Sequence, residues 1–149
     1  LGALRYQILK QGSGKNIVFD LEQALSFEGD TGPYLQYTLA RTHSLLEKGK
    51  EEQLEPSQVT FTEETADTLR HARRFEGVVE RAATEYAPQQ VTTYLIELAA
   101  LFNNLYAKKQ LVDPENKEQS EQLLALTMLV QHVLGRGLDV LNIPQVERM

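Results

Sequence analysis

The sequence predicts an all-α fold, a bundle of amphipathic helices. Apolar residues recur three, four and seven positions apart over most of the chain, the period of a helix rather than a strand. Glycine, proline and polar clusters interrupt that pattern at intervals suited to helix–helix connections. No series of strands alternating with helices and no internal repeat is present.

Residues 1–10 carry Leu1, Leu4, Ile8 and Leu9 at helical spacing, and Gly12-Ser13-Gly14 ends that segment. Residues 16–19 suit at most a brief extended piece. Asp20 is a candidate N-cap for a short helix at 21–26, because its carboxylate can accept from an orphan backbone N–H of the first turn. A turn at Gly29-Asp30-Thr31-Gly32 follows. Thr31 can cap the next helix, expected at 33–48 with Pro33 in its first turn and Gly49 as its C-cap. Leu35, Leu39, Thr42, Leu45 and Leu46 lie on one side of it, with Tyr34 and Tyr37 at the edge. Residues 50–61 are polar, contain Pro56 and suit a loop.

A helix is expected from Thr62, although the strict capping-box spacing belongs to Thr60 and Glu63. A bend near Glu76-Gly77 should separate it from the stripe Phe75, Val78, Val79, Ala82, Ala83 and Tyr86. Pro88 opens a long helix at 89–108. Its buried face should hold Val91, Leu95, Leu98, Ala99, Phe102 and Tyr106, widened by Tyr94, Leu101 and Leu105. Pro114 sits in a polar loop before a helix at 117–134. There Leu123, Leu126, Thr127, Val130, Val133 and Leu134 are core candidates. Gly135 and Gly137 should loosen or end this helix. A short turn at 138–141 and a terminal helix at 145–149 complete the reading.

With 149 residues, 42% of them hydrophobic and 24% charged, the chain suits one soluble globular domain. No run approaches the roughly 20 apolar residues of a bilayer span, and no signal-peptide pattern is present. The absence of cysteine removes disulfides and thiolate metal sites and fits a reducing compartment. The first residue is Leu1 rather than Met, which suggests a piece of a longer protein, with processing as the alternative. A net charge of −6 argues against duplex binding. It argues less against a single strand, which aromatic faces and local positive charge can hold. Arg70, His71, Arg73, Arg74 and Arg81 form one basic stretch, and Lys108 with Lys109 a second. Either could be a solvated helix surface.

No catalytic constellation emerges. His43, His71 and His132 fall on three separate expected helices without the close pairing of a metal motif. Gly12-Ser13-Gly14-Lys15 lacks the spacing of a phosphate loop. No GxSxG element is present, and nothing selects two carboxylates as acid and base.

One segment is distinctive. Phe27-Glu28-Gly29-Asp30-Thr31-Gly32-Pro33-Tyr34-Leu35-Gln36-Tyr37, followed by Ala40-Arg41, closely resembles arginyl-tRNA synthetases. There it follows the lysine-rich loop of the catalytic domain and leads into a helical anticodon-binding domain of the DALR type. Gly2-Ala3-Leu4-Arg5-Tyr6, Leu9-Lys10 and Ile17-Val18-Phe19-Asp20 resemble the family upstream. Downstream so do Tyr94-Leu95, Leu98-Ala99, Phe102-Asn103-Asn104-Leu105-Tyr106 and Val133-Leu134 with Gly137-Leu138. Leu141-Asn142-Ile143-Pro144 and Glu147-Arg148-Met149 resemble the family's last residues. Two positions depart from it: Gln122 stands where the family often has arginine, and Asn142 where it has glycine.

The resemblance implies an anticodon-binding helical bundle at residues 31–149. Residues 1–30 are then the end of the catalytic body and a connecting segment. It implies a cytoplasmic enzyme that ligates arginine to tRNA-Arg with ATP. The signatures of that chemistry are missing here, so the chain alone should be inactive, without cofactor, metal or membrane. Its expected partners are tRNA-Arg and the catalytic domain of the same polypeptide.

The resemblance places Tyr106 and Met149 near the anticodon loop, with Tyr106 either a stacking platform or core filler. Arg70, Arg73, Arg74 and Lys108 could meet backbone phosphate. Tyr34, Gln36, Tyr37 and Arg41 either join the catalytic body or face RNA. A helical protein-interaction domain without RNA binding is the alternative function.

Overall fold

The computed structural model describes residues 1–12, 14–16 and 19–146. They form seven α-helices: α1 Gly2–Leu9, α2 Leu21–Leu25, α3 Gly32–Glu51, α4 Ala66–Ala72, α5 Phe75–Thr84, α6 Gln89–Lys108 and α7 Lys117–Val140. A single 3-10 turn, Pro114–Asn116, leads into α7. No strand occurs among the described residues, so the all-α expectation holds. Much of the expected extended piece at 16–19 lies outside the described residues, as does most of the expected helix at 145–149, whose Gln145 and Val146 are not helical.

The long helices α3, α6 and α7 build the centre. α7 runs antiparallel to α3, since Gly49 near the end of α3 meets Leu124 near the start of α7, while Gln36 reaches the Pro144 carbonyl beyond its end. α6 and α7 form an antiparallel hairpin in which Leu95 faces Gly137. α3 and α6 therefore run side by side in the same direction. Leu35, Leu39, Leu95, Leu98, Phe102, Leu126, Val130 and Leu134 are essentially without solvent exposure between them. α1 lies against the start of α3, where Gly32 comes so close that a Cβ there would lie 3.0 Å from Tyr6 Cβ. The buried Tyr6 hydroxyl donates to the Asp30 carboxylate and ties α1 to that turn.

Helix starts follow the expected chemistry. Asp20 accepts from Gln23 N at 3.1 Å and Thr31 from Tyr34 N at 3.2 Å, each satisfying an orphan donor. Thr62 and Thr65 cap reciprocally, Thr62 N donating to Thr65 Oγ1 at 2.9 Å and Thr65 N to Thr62 Oγ1 at 3.3 Å. Regular α4 begins just after this turn. The break between α4 and α5 falls at Arg73-Arg74 rather than Glu76-Gly77; Gly77 is an ordinary helical residue inside α5.

Helix ends depart from the sequence expectation. Gly49 is not a C-cap: α3 continues to Glu51, and Gly49 is buried because Leu124 packs onto it. Gly135 and Gly137 do not end α7, which runs to Val140. A Cβ on Gly137 would lie 2.4 Å from Leu95 Cδ2, so this glycine permits a close crossing. The left-handed cap positions fall on Gln53 (φ 58°), Tyr86 (φ 52°) and Asn142 (φ 53°). Each closes a Schellman motif, with Leu54 N to Gly49 O, Ala87 N to Ala82 O and Ile143 N to Leu138 O all at 2.8 Å. This accounts for the departure at residue 142: asparagine is the side chain that best replaces glycine in that conformation. Nothing in the structure explains Gln122. By length and hydropathy, Pro114–Val140 could span a membrane, but 61% of its apolar window is buried in the bundle, the pattern of a core helix.

Candidate nucleic-acid interface

Four residues singled out in the sequence converge on the seam between α3 and α6. Tyr34, Tyr37 and Arg41 recur along α3 at intervals of three and four, so they share one edge of the helix. Tyr106 lies one turn beyond the fully buried Phe102 on α6. Its spacing alone put it on the buried face, while the resemblance left it as stacking platform or core filler; it is 40% exposed. Across the seam the Arg41 guanidinium lies over the ring, its Cζ 4.3 Å from the ring centroid. The same guanidinium lies 4.8 Å from the centroid of Tyr37, which is 39% exposed. Phe27 meets Tyr37 edge-on at 6.2 Å and extends the aromatic surface.

Beneath the rings is a polar network. Arg41 Nη1 donates to Asn103 Oδ1 at 2.5 Å and Nη2 to the Tyr37 hydroxyl at 3.1 Å. Asn103 Nδ2 donates to the Tyr34 hydroxyl at 3.0 Å and to Thr38 Oγ1 at 2.9 Å. Cation–π contact and hydrogen bonding therefore act on one guanidinium, whose planar fork suits both. Neither Asn103 nor Thr38 was among the expected site residues. The available signal was a polar side chain inside an apolar stripe, at Asn103 beside Phe102 and at Thr38 between Leu35 and Leu39.

The other expected residues lie elsewhere. Gln36 faces away from the cluster, and its Nε2 donates to the Pro144 carbonyl at 2.7 Å. Arg70 is exposed, pairs with Asp67 at 3.1 Å and lies over the Phe61 ring at 5.0 Å. Lys108 is exposed on a cavity of about 310 Å³ shared with Glu63, Glu64 and Asp67, and its neighbour Lys109 pairs with Glu64 at 2.7 Å. The field around Arg70 and Lys108 is thus mixed. Arg73 and Arg74 are exposed at the α4–α5 bend. Arg74 lines a second cavity, of about 350 Å³, with His71, Arg81 and Glu97. Met149 lies outside the described residues.

His71 serves packing. Its Nε2 sits 2.9 Å from the Tyr94 carbonyl, which only accepts, so that nitrogen carries the proton. Its ring stacks on Tyr94 at 4.4 Å. Burial pushes the Tyr94 phenol well above its ordinary range, partly offset by the Arg74 charge. Burial does the same to Tyr6, reinforced by the Asp30 carboxylate that accepts its proton. Among the described residues no group of three or more His, Asp or Glu is arranged to hold a metal.

Residues 35–149 match the DALR anticodon binding domain. An arginine–tRNA ligase of Thermococcus kodakarensis is 37% identical over the whole of this chain, which covers 24% of that protein. One from Latilactobacillus sakei is 35% identical, again over the whole chain, with 26% of the relative covered. The arginyl-tRNA synthetase of Thermus thermophilus superposes with a TM-score of 0.85 at 36% identity, over 99% of this chain and 26% of that one. The chain spans about a quarter of the length of the relatives it matches. With the match covering most of its length, the chain belongs to the DALR anticodon binding domain family.

Proposed function

We propose that this chain is the anticodon-binding part of an arginine–tRNA ligase and that the Tyr37–Arg41–Tyr106 cluster receives a base of the anticodon loop of tRNA-Arg. The observation that carries the reading is two half-exposed tyrosine rings joined through one hydrogen-bonded guanidinium. Unpaired bases in an RNA loop are recognised by stacking on aromatic and guanidinium planes, and this cluster offers both. Arg73 and Arg74, exposed on the α4–α5 bend, serve backbone phosphate. Arg70 and Lys108 do so against neighbouring carboxylates.

In this reading residues 1–30 belong to the end of the catalytic body. Leu1, Leu4 and Ile8 along α1 and Leu21 and Leu25 on α2 are exposed, between 44% and 79%, which suits a segment covered by the rest of a cytoplasmic ligase. Arginine activation with ATP and transfer to tRNA-Arg belong to that remainder. The test is titration with an unmodified tRNA-Arg transcript at two salt concentrations. Affinity should fall as salt rises. Tyr106→Ala should cost about 1–3 kcal/mol of binding. Its stability loss should stay below the about 3–5 kcal/mol of a fully buried ring. Tyr106→Ala that binds as tightly as the parent sinks the platform reading. Absence of salt-dependent binding in the parent favours the protein-interaction alternative.

A further inference from the structure

We propose that Thr38 and Asn103 are positioning residues that fix the Arg41 guanidinium between Tyr37 and Tyr106; the functional part of this rests on the platform reading above. The argument is one of hydrogen-bond polarity. Thr38 is fully buried, and its hydroxyl donates to the Tyr34 backbone carbonyl at 2.9 Å. A hydroxyl has one proton, so toward Asn103 it can only accept. The amide nitrogen of Asn103 must therefore face Thr38, and it also donates to the Tyr34 phenol oxygen. That settles which way the amide points, and its carbonyl oxygen is left facing Arg41 Nη1 at 2.5 Å. A flipped amide would set N–H against N–H at Arg41 and oxygen against an occupied hydroxyl at Thr38.

The guanidinium is then held at a second point by the Tyr37 hydroxyl, 3.1 Å from Nη2. Its plane is fixed at both edges before any ligand arrives. A long cationic side chain ordered in advance does not lose its freedom at the binding step. Thr38, with no exposed surface, makes no hydrogen bond to Arg41 in this network, yet through the Asn103 amide it sets the acceptor that holds the guanidinium.

The experiment uses the 149-residue chain labelled with nitrogen-15. The Arg41 Nε–H resonance should carry a ring-current shift from the two tyrosines, whose centroids lie 4.8 and 4.3 Å from its Cζ. Thr38→Val removes the acceptor and keeps the shape; Thr38→Ser keeps the acceptor; Asn103→Leu removes all three Asn103 bonds. The shift should persist in Thr38→Ser and collapse toward the free-arginine position in Thr38→Val and Asn103→Leu. Affinity for unmodified tRNA-Arg at low salt should fall several-fold in Thr38→Val and about tenfold in Asn103→Leu, a bond to a charged group being lost. Urea midpoints report folding for each, and the near-isosteric Thr38→Val keeps the test open if Asn103→Leu does not fold. An unmoved Arg41 signal in Thr38→Val overturns the proposal. Unchanged affinity in variants that have lost the shift also overturns it, if Arg41→Ala and Tyr106→Ala still weaken binding. If those two bind like the parent as well, the platform reading itself has failed.

Discussion

Replacing Gly137 by alanine tests whether α7 owes its length to a close crossing. A Cβ at Gly137 would lie 2.4 and 2.7 Å from the two methyls of Leu95 and 3.0 Å from its Cγ. Leu95 has no exposed surface and is packed among core side chains, so it has nowhere to swing. Forcing a methyl into a filled core costs about 1–3 kcal/mol. Alanine returns about 1 kcal/mol of helix propensity over glycine. With contacts this short the steric cost takes the upper part of its range, and Gly137→Ala should be destabilised by about 1–2 kcal/mol. Gly77 is the internal control, being helical with nothing within 4 Å of an added Cβ. Gly77→Ala should gain about 1 kcal/mol. Urea unfolding followed by far-ultraviolet dichroism reads both variants. A Gly137→Ala chain at least as stable as the parent, or two variants that shift in the same direction, refutes the reasoning.

Two further outcomes follow from buried groups and backbone strain. Tyr6 and Tyr94 hold their protons above the ordinary phenol value of 10 because burial disfavours the phenolate. Folding stability from them is complete below pH 10 and falls above it, where the unfolded chain ionises first, by up to about 1.4 kcal/mol per pH unit for each group. Urea midpoints across that range measure the loss, and two of the six tyrosines should gain phenolate absorbance only on unfolding. If all six titrate together in the folded chain, the burial argument is wrong. Asn142→Gly should change stability little, whereas Asn142→Val should cost about 1–2 kcal/mol, since a β-branched residue is strained at φ 53°. Equal melting temperatures for the two variants would contradict the Schellman assignment.

The parts of the fold that were legible in the sequence are those set by local chemistry. Pro88 and the spacing from Val91 to Leu105 give the observed bounds of α6, and Thr31 with Pro33 gives the start of α3 to within a residue. The failures come from distant partners. Glycine reads as a helix end in isolation, but at Gly49 and Gly137 it is selected by Leu124 and Leu95, which no local window contains. The actual left-handed caps, Gln53 and Tyr86, carry side chains that give no such signal. At the candidate site the residue types on α3 stood out in the sequence, but their convergence with Tyr106 did not. Periodicity on α6 alone gave Tyr106 the spacing of a core residue, and the sequence left it as either platform or core filler; its 40% exposure fits the platform.

The bonds that join Tyr34, Thr38 and Arg41 to Asn103 span 69, 65 and 62 residues of chain. Contacts so remote in sequence form only after the entropy of closing the intervening loop has been overcome, so they belong to the late, cooperative part of folding. Between them along the chain lie α4, α5 and most of α6, while α7 packs antiparallel against both α3 and α6. The aromatic seam is accordingly a property of the whole bundle. No excised helix or hairpin carries it, and a chain shortened at α7 should lose it even though every residue of the cluster is still present.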